Sequence, residues 1–250
     1  MKEKFSIVIP VYNGENSLEQ LYKKTCDELI KLEKDYEFIF IDDNSIDDSF
    51  KIIEKLCQVD KNVIGIKLNK NYGQQNAVFC GLEHSTGDYI INMDDDLQHN
   101  PKYIRDMYNK LKEGYDIVYA ITKVKYHKSY RNFGSKLTDK LFNLLLKKPK
   151  YKRVSSYRIM KRELKDVIIK EKKSYNYISA SILKHSKNIG NIHYQHSTRK
   201  YGDSNYTFLK QLKIFIRIFL YYSDISIFKP FLSKSEPYSI KTIINNRKES

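Results

Sequence analysis

The chain opens with FSIVIPVYN, an apolar, β-branched run closed by Pro10 and the Asn13-Gly14 pair, which is the pattern of a buried parallel strand running into a loop. Ser17 and Gln20 then stand at capping-box spacing, and Leu18, Leu21, Tyr22, Leu29 and Ile30 recur at helical intervals, so a helix is predicted to follow. The pattern repeats. YEFIFIDDNS reads as strand and loop, DSFKIIEKLCQ as helix, NVIGIKLN as strand, GQQNAVFCGLEHS as helix and DYIINMDDD as a fourth strand.

Strands alternating with helices through crossovers of more than ten residues imply an α/β fold, a mostly parallel sheet with helices on both faces. Ligands of such sheets bind beyond the carboxyl ends of the strands. Asn13-Gly14, Asp42-Asp43-Asn44 and Asp94-Asp95-Asp96 all fall at such ends and are predicted to converge on one crevice. From about 121 to 205 the pattern is less regular: KLTDKLFNLLLKK reads as a helix, SSYRIMKRELKDVI as a turn leading into a helix, and NIGNIHYQHSTRK as a strand. Over Tyr206 to Tyr222, a helical wheel puts Phe208, Leu212, Phe215, Ile216 and Phe219 on one side and Lys210, Lys213 and Arg217 on the other, an amphipathic helix with a cationic face.

Charge sharpens this picture. The 250-residue chain carries +15, but residues 1–120 hold 15 Lys and Arg against 22 Asp and Glu, whereas residues 121–250 hold 30 against 8. The basic second half is suited to a polyanion: nucleic acid, an anionic membrane surface or a phosphorylated small molecule. Cys26, Cys57 and Cys80 form no C-x-x-C pair, and the amino terminus goes straight into a strand with no secretory pattern, so reduced thiols and a cytoplasmic setting are expected. No window of 18 apolar residues predicts a membrane span. The six histidines form no ligand pattern and are expected to be structural or on the surface, and the run KKPKYKR from Lys147 to Arg153 reads first as a solvated turn, with contact to anionic headgroups as the alternative.

INMDDDLQHNP holds the candidate chemistry. Asp94 and Asp96 alternate, so on extended backbone they point the same way and can share a divalent ion, Mg2+ or Mn2+, completed by phosphate oxygens. An acidic turn or a helix cap before Pro101 is the competing reading. Asp42-Asp43-Asn44-Ser45 can supply a carboxylate to a ribose or base, or form an Asx-turn. NKNYGQQNA offers amides and a glycine for close backbone approach, as would any polar loop.

SIVIPVYNGENSL, FIDDNSIDDS, NYGQQNAVFCGL, TGDYIINMDDDLQHNP and RKYGDSNYTFLKQL together resemble, in order, the motifs of family 2 glycosyltransferases of the polyprenyl-phosphate branch, over about residues 5 to 230. The resemblance implies a GT-A fold: a catalytic domain over 1–205, with a nucleotide-sugar half to about 120 and an acceptor half beyond it, then C-terminal amphipathic, membrane-associating helices and a tail over 206–250. It implies that Asp94, Asp96 and Gln98 hold the metal, and that Pro10, Tyr12, Glu15, Asp42 and Asp94 surround the nucleotide. Arg131, Ser135, Ser156, Arg158 and Arg199 would lie near the acceptor phosphate, with Asp94, Asp96 and Arg199 catalytic. Gly14 intervenes where the branch often has glutamate directly after Tyr-Asn. Ala120-Ile121-Thr122-Lys123 stands where it usually has a basic G-x-R element, a role left vacant or passing to Lys123 or Lys125.

The expected activity is therefore metal-dependent, inverting transfer of a sugar from a UDP- or GDP-sugar to undecaprenyl phosphate. The expected location is peripheral, on the cytoplasmic face of the plasma membrane, with a membrane-embedded partner as the other route to the lipid. A saccharide hydroxyl is the alternative acceptor. A nucleic-acid-binding protein is the alternative class, disfavoured because the acidic strand ends repel a polyanion and no recognition motif is present.

Overall fold

The computed structural model describes residues 2–122, 143, 145–195, 208–222 and 235–246. The predicted alternation is present: β1 (Lys4–Val11), α1 (Leu18–Ile30), β2 (Asp35–Asp42), α2 (Ser49–Val59), β3 (Val63–Leu68), α3 (Gln74–His84) and β4 (Tyr89–Asn92). There follow α4 (Ile104–Lys112), β5 (Ile117–Thr122), β6 (Arg158–Lys161), α5 (Arg162–Lys170), α6 (Ile178–His185), β7 (Ile189–Tyr194), α7 (Phe208–Tyr222) and β8 (Ile240–Asn245).

The eight strands form one sheet in the order β7-β5-β6-β4-β1-β2-β3-β8. β1 lies parallel to β2 and β4, β2 to β3, and β5 to β7, while β6 runs antiparallel between β4 and β5 and β8 antiparallel to β3. The continuous apolar runs of β1 and β2 follow from covering on both faces. Val8, Ile39, Ile41 and Ile66 pack towards α3, α5 and α6, and Ile7, Ile9, Phe38 and Phe40 towards α1, α2 and α4. All three cysteines are buried free thiols.

Several expectations are corrected. The hydroxyl of Ser17 makes no capping bond to the α1 amides and instead donates to the Gly14 carbonyl at 2.9 Å, and Ile30 is 62% exposed rather than on the buried face. SSYRIMKRELKDVI holds a strand, β6, before its helix. The carboxyl-terminal stretch contributes β8 to the sheet in addition to the single described helix α7. In α7, Ile218 and Tyr222 are buried and Ile214 packs beside them, whereas Ile216 is 48% exposed. The docked stripe thus lies about 100° around the helix from the apolar stripe singled out in the sequence. Two hydrogen bonds to the Tyr222 hydroxyl seat α7 on α6, one from the Tyr177 amide and one shared with Ser181, both 2.8 Å.

Candidate active site

The strand order reverses direction at β1, with β2 on one side and β4 on the other, and this topological switch point is where a crevice opens. The loops beyond β1 and β2 are fastened together by five side-chain to backbone bonds: Asn13 N–H to Ser45 Oγ, Gly14 N–H to Ser49 Oγ, Glu15 N–H to Asp47 Oδ2, Ile46 N–H to Asn13 Oδ1 and Asp48 N–H to Glu15 Oε2. Glu15, which is exposed, therefore serves as a tie between these loops. Asp42 is fully buried at the end of β2, accepting from the Ser45 amide at 3.2 Å and facing Lys67 Nζ at 3.7 Å. Pro10 is buried within β1 opposite Ile41, and Tyr12 is 50% exposed at the crevice edge.

Asp43, which carried no separate prediction, accepts from the amides of Tyr72 and Gly73 at 2.7 and 2.8 Å. It holds the turn into α3, where Gly73 has φ of +87°, a conformation that suits glycine. Burial raises the Asp43 carboxyl to about 6 against those two bonds. The turn in turn presents Gln74, whose Nε2 donates to Asp94 Oδ1 at 2.7 Å.

The acidic triplet divides its labour. Asp95 accepts the Tyr12 amide at 3.2 Å, and a Cβ on Gly14 would sit 2.7 Å from Asp95 Oδ2, so the β1 loop can approach only because residue 14 has no side chain. Desolvation, with the Asp94 and Asp96 charges adding to it, pushes the Asp95 carboxyl up to about 7. Asp94 Oδ2 accepts the Ser156 hydroxyl at 3.0 Å. Asp96 accepts the Gln98 amide at 3.1 Å. Beneath Asp94 sits His99, 5% exposed, stacked on Tyr157 at 4.8 Å and 12°. Its Nδ1 accepts the Asp94 amide at 2.9 Å, which leaves the ring proton on Nε2, 3.7 Å from Asp94 Oδ2. From the sequence His99 is expected only to be structural or on the surface. Its only signal was its place five residues after Asp94, which becomes informative once the loop is seen to curl back.

Ser156 and Arg158 reach the site from the β6 side. Arg158 is buried, its Nε donating to Asn92 Oδ1 at 3.0 Å and NH1 to Ser179 Oγ at 3.2 Å. Desolvation lowers its pKa, opposed by Tyr119 and Asp94 nearby. It thus underpins the end of β4. Arg131, Ser135 and Arg199 lie outside the described residues. A cleft of about 240 Å³ is lined by Asp94, Gln98, His99, Thr122, Arg153, Ser155, Ser156 and Tyr194 among others. A wider apolar groove of about 510 Å³ lies between α1 and α2 and contains none of the strand-end carboxylates.

A family model, glycosyl transferase family 2, matches residues 6–169, which hold the loops beyond β1, β2 and β4. The chain belongs to glycosyl transferase family 2. This family 2 chain is 34% identical over 216 residues to an undecaprenyl-phosphate 4-deoxy-4-formamido-L-arabinose transferase of Proteus mirabilis (strain HI4320), a match covering 84% of the chain and 65% of that relative. It is 36% identical to the Shewanella sediminis (strain HAW-EB3) protein of the same description, covering 84% and 63%. The chain therefore spans somewhat less than two thirds of the length of these relatives. Its GT-A fold is shared with solved structures at low identity. Glucosyl-3-phosphoglycerate synthase from Mycobacterium tuberculosis in complex with UDP superposes with a TM-score of 0.60 at 16% identity, covering 87% of this chain and 78% of that one. S. aureus TarS 1-349 in complex with UDP-GlcNAc gives 0.56 at 18%, covering 89% and 68%. Among the described residues no helix of this family 2 chain is long and apolar enough to cross a membrane.

Proposed function

We propose that the protein transfers a sugar from a nucleotide-sugar donor to a polyprenyl phosphate, with inversion at the anomeric carbon. One observation carries the choice of acceptor: among the described residues lining the cleft, Asp94 is the one carboxylate, and both its oxygens are engaged, by Gln74 and Ser156. A saccharide hydroxyl would need a carboxylate placed to take its proton. A phosphate monoester is already ionised at neutral pH and needs only positioning and charge compensation. The names of the relatives, which act on undecaprenyl phosphate, support the same reading.

Among the described residues no three His, Cys, Asp or Glu side chains converge as a metal cage. Two carboxylates suffice for a divalent ion whose remaining ligands are diphosphate oxygens, so Asp94 and Asp96, with Gln98 beside them, fit Mg2+ or Mn2+. Glucosyl-3-phosphoglycerate synthase from M. tuberculosis forms a complex with Mn2+ and UDP-glucose. Such an ion would stabilise charge on the departing diphosphate. The chain's own part is positional. Gln74, Ser156 and His99 fix Asp94, and the fastened β1 and β2 loops form the nucleotide side, with Pro10, Tyr12, Glu15 and Asp42 around it. An acceptor phosphate oxygen forms the new bond to the anomeric carbon as the bond to the diphosphate breaks, its electron pair leaving with the nucleotide. Ser156 and Arg158, joined by Arg131, Ser135 and Arg199, make up the acceptor side.

The protein would work at the cytoplasmic face of the plasma membrane, touching anionic lipid through the side of α7 where Ile216 is exposed, beside Arg217, itself exposed with its guanidinium 5.1 Å from the centre of the Tyr175 ring. The catalytic unit would span 1–205. Incubation with UDP- and GDP-sugars plus undecaprenyl phosphate tests the reaction, with a glycolipid as the expected product. Extension of a saccharide with no glycolipid from any donor would refute it. Flotation on anionic liposomes tests the location, since protein remaining in the soluble fraction at low salt would remove the membrane contact.

A further inference from the structure

We infer that Arg153 receives the anionic group of the acceptor, an inference that rests on the function proposed above. The run KKPKYKR reads as a solvated turn, but its backbone is tied within the run, just before it and at its last residue. Lys148, only 7% exposed, donates from Nζ to the Lys152 carbonyl at 2.5 Å, and Lys187 donates to the Leu146 carbonyl. At Arg153 the hold is two-sided. The Arg153 amide donates to Asn191 Oδ1 at 3.0 Å, and Asn191 Nδ2 donates to the Arg153 carbonyl at 2.9 Å. Asn191 belongs to β7, so a side-chain amide on the sheet clamps the residue's backbone while the residue itself stays exposed and lines the cleft.

Arg153 is the one Lys or Arg among the described residues lining that cleft, and among the described residues its guanidinium has no hydrogen-bond or ion-pair partner. Asp94 lines the same cleft, with Asp95 and Asp96 adjacent in the chain. An acceptor phosphate dianion entering the cleft meets like charge, and a cation in its lining offsets the repulsion. The planar fork suits a phosphate. Ser155 adds a hydroxyl whose oxygen accepts the Tyr157 amide at 3.2 Å, which leaves its O–H to donate. Position argues for acceptor rather than donor. Asn191 is on β7, three strands from β4 on the side away from β1 and β2, about 14 Å at ordinary strand spacing.

The full-length protein with Arg153→Gln and Arg153→Lys tests the assignment by equilibrium binding of farnesyl phosphate, a water-soluble prenyl phosphate, and of whichever of UDP or GDP the wild type binds. Arg153→Gln is expected to weaken farnesyl phosphate binding about tenfold to a hundredfold, the loss of a charged hydrogen bond. Nucleotide affinity should hold within about twofold, and Arg153→Lys should recover part of the loss. Farnesyl phosphate binding unchanged by Arg153→Gln overturns the proposal. So does a parallel loss of nucleotide affinity, which would put the guanidinium on the donor. A loss confined to flotation on phosphatidylglycerol vesicles overturns it as well, because the phosphate would then be a lipid headgroup's. A wild type that binds farnesyl phosphate through Arg153 yet passes no sugar to it or to undecaprenyl phosphate leaves the anion site standing and refutes the transfer reaction alone. A wild type that binds none overturns both.

Discussion

Changing His99 to Phe removes the acceptor for the Asp94 amide at the centre of the site while keeping most of the packing. The ring lies flat against Tyr157, 4.8 Å between centroids, and meets Tyr194 edge-on at 6.4 Å, contacts a phenyl ring can reproduce. What it cannot reproduce is the acceptor for the Asp94 amide, 2.9 Å from Nδ1. A partly buried amide left unpaired costs about 1–2 kcal/mol. For a chain of this size each kcal/mol lowers Tm by about 2–4 °C, so a fall of about 2–8 °C is expected in a thermal melt. Asp94 is then held only through its side chain, and transfer is expected to drop about tenfold to a hundredfold, as misplacement of a site group does. His99→Asn offers the contrast. Its Oδ1 can take the place of Nδ1 but forfeits a stacking contribution of about 0.5–1.5 kcal/mol, so Asn should be the more active variant without being the more stable. A Phe variant that matches wild type in both melt and turnover, or Phe and Asn variants that lose activity equally, would contradict this role of His99.

Asp96→Asn is expected to lower transfer at least about a hundredfold, with EDTA acting likewise on wild type; survival of activity in either case removes the metal from this site. For Asp43, with its carboxyl raised to about 6 from 3.8, the folded chain binds more protons than the unfolded one between those values. Its contribution to stability is therefore full below the lower value and declines as pH rises through the window. Denaturant midpoints of wild type and Asp43→Asn, followed from pH 4 to 7, should show the wild type losing ground to the variant as pH rises, and parallel curves would contradict the assignment. Gly81→Ala would place a Cβ 2.4 Å from Val8 Cγ1 and 2.6 Å from Ile41 Cδ1, both in the core. Overpacking of about 1–3 kcal/mol should appear in the melt, and an unchanged Tm would show that α3 shifts freely against the sheet.

The alternation of elements over the first 92 residues was open to reading because it is local. A β-branched run closed by Pro10 or Asp42, followed by helical spacing from Leu18 or Ser49, specifies buried strands and crossovers whatever the rest of the chain does. The strand-end location of Asn13, Asp42 and Asp94 came with it, since parallel strands must put their carboxyl ends together. Chain order could not say which strand lies beside which. β6 is four residues long and β8 follows a helix; both enter the sheet antiparallel through long-range pairing that no periodicity encodes.

The same limit governs the side chains. Asp42 and Glu15 have the residue types of a ligand site, and the fold adds partners that chain order does not show: Lys67, 25 residues further on, for Asp42, and the Asp48 amide, 33 residues further on, for Glu15. His99 and Arg153 looked ordinary and sit against the site. In α7 the hydrophobic spacing was correct for a helix, but several sides of that helix are apolar. Only the placement of α6, with Tyr177 and Ser181 meeting the Tyr222 hydroxyl, decided that Ile214, Ile218 and Tyr222 turn inward and Ile216 outward. Local sequence determines which groups a segment offers. Whether a group meets a partner, a ligand or water depends on the neighbours the fold supplies, because the cost of burying a polar or charged atom is set by what lies within hydrogen-bonding distance of it.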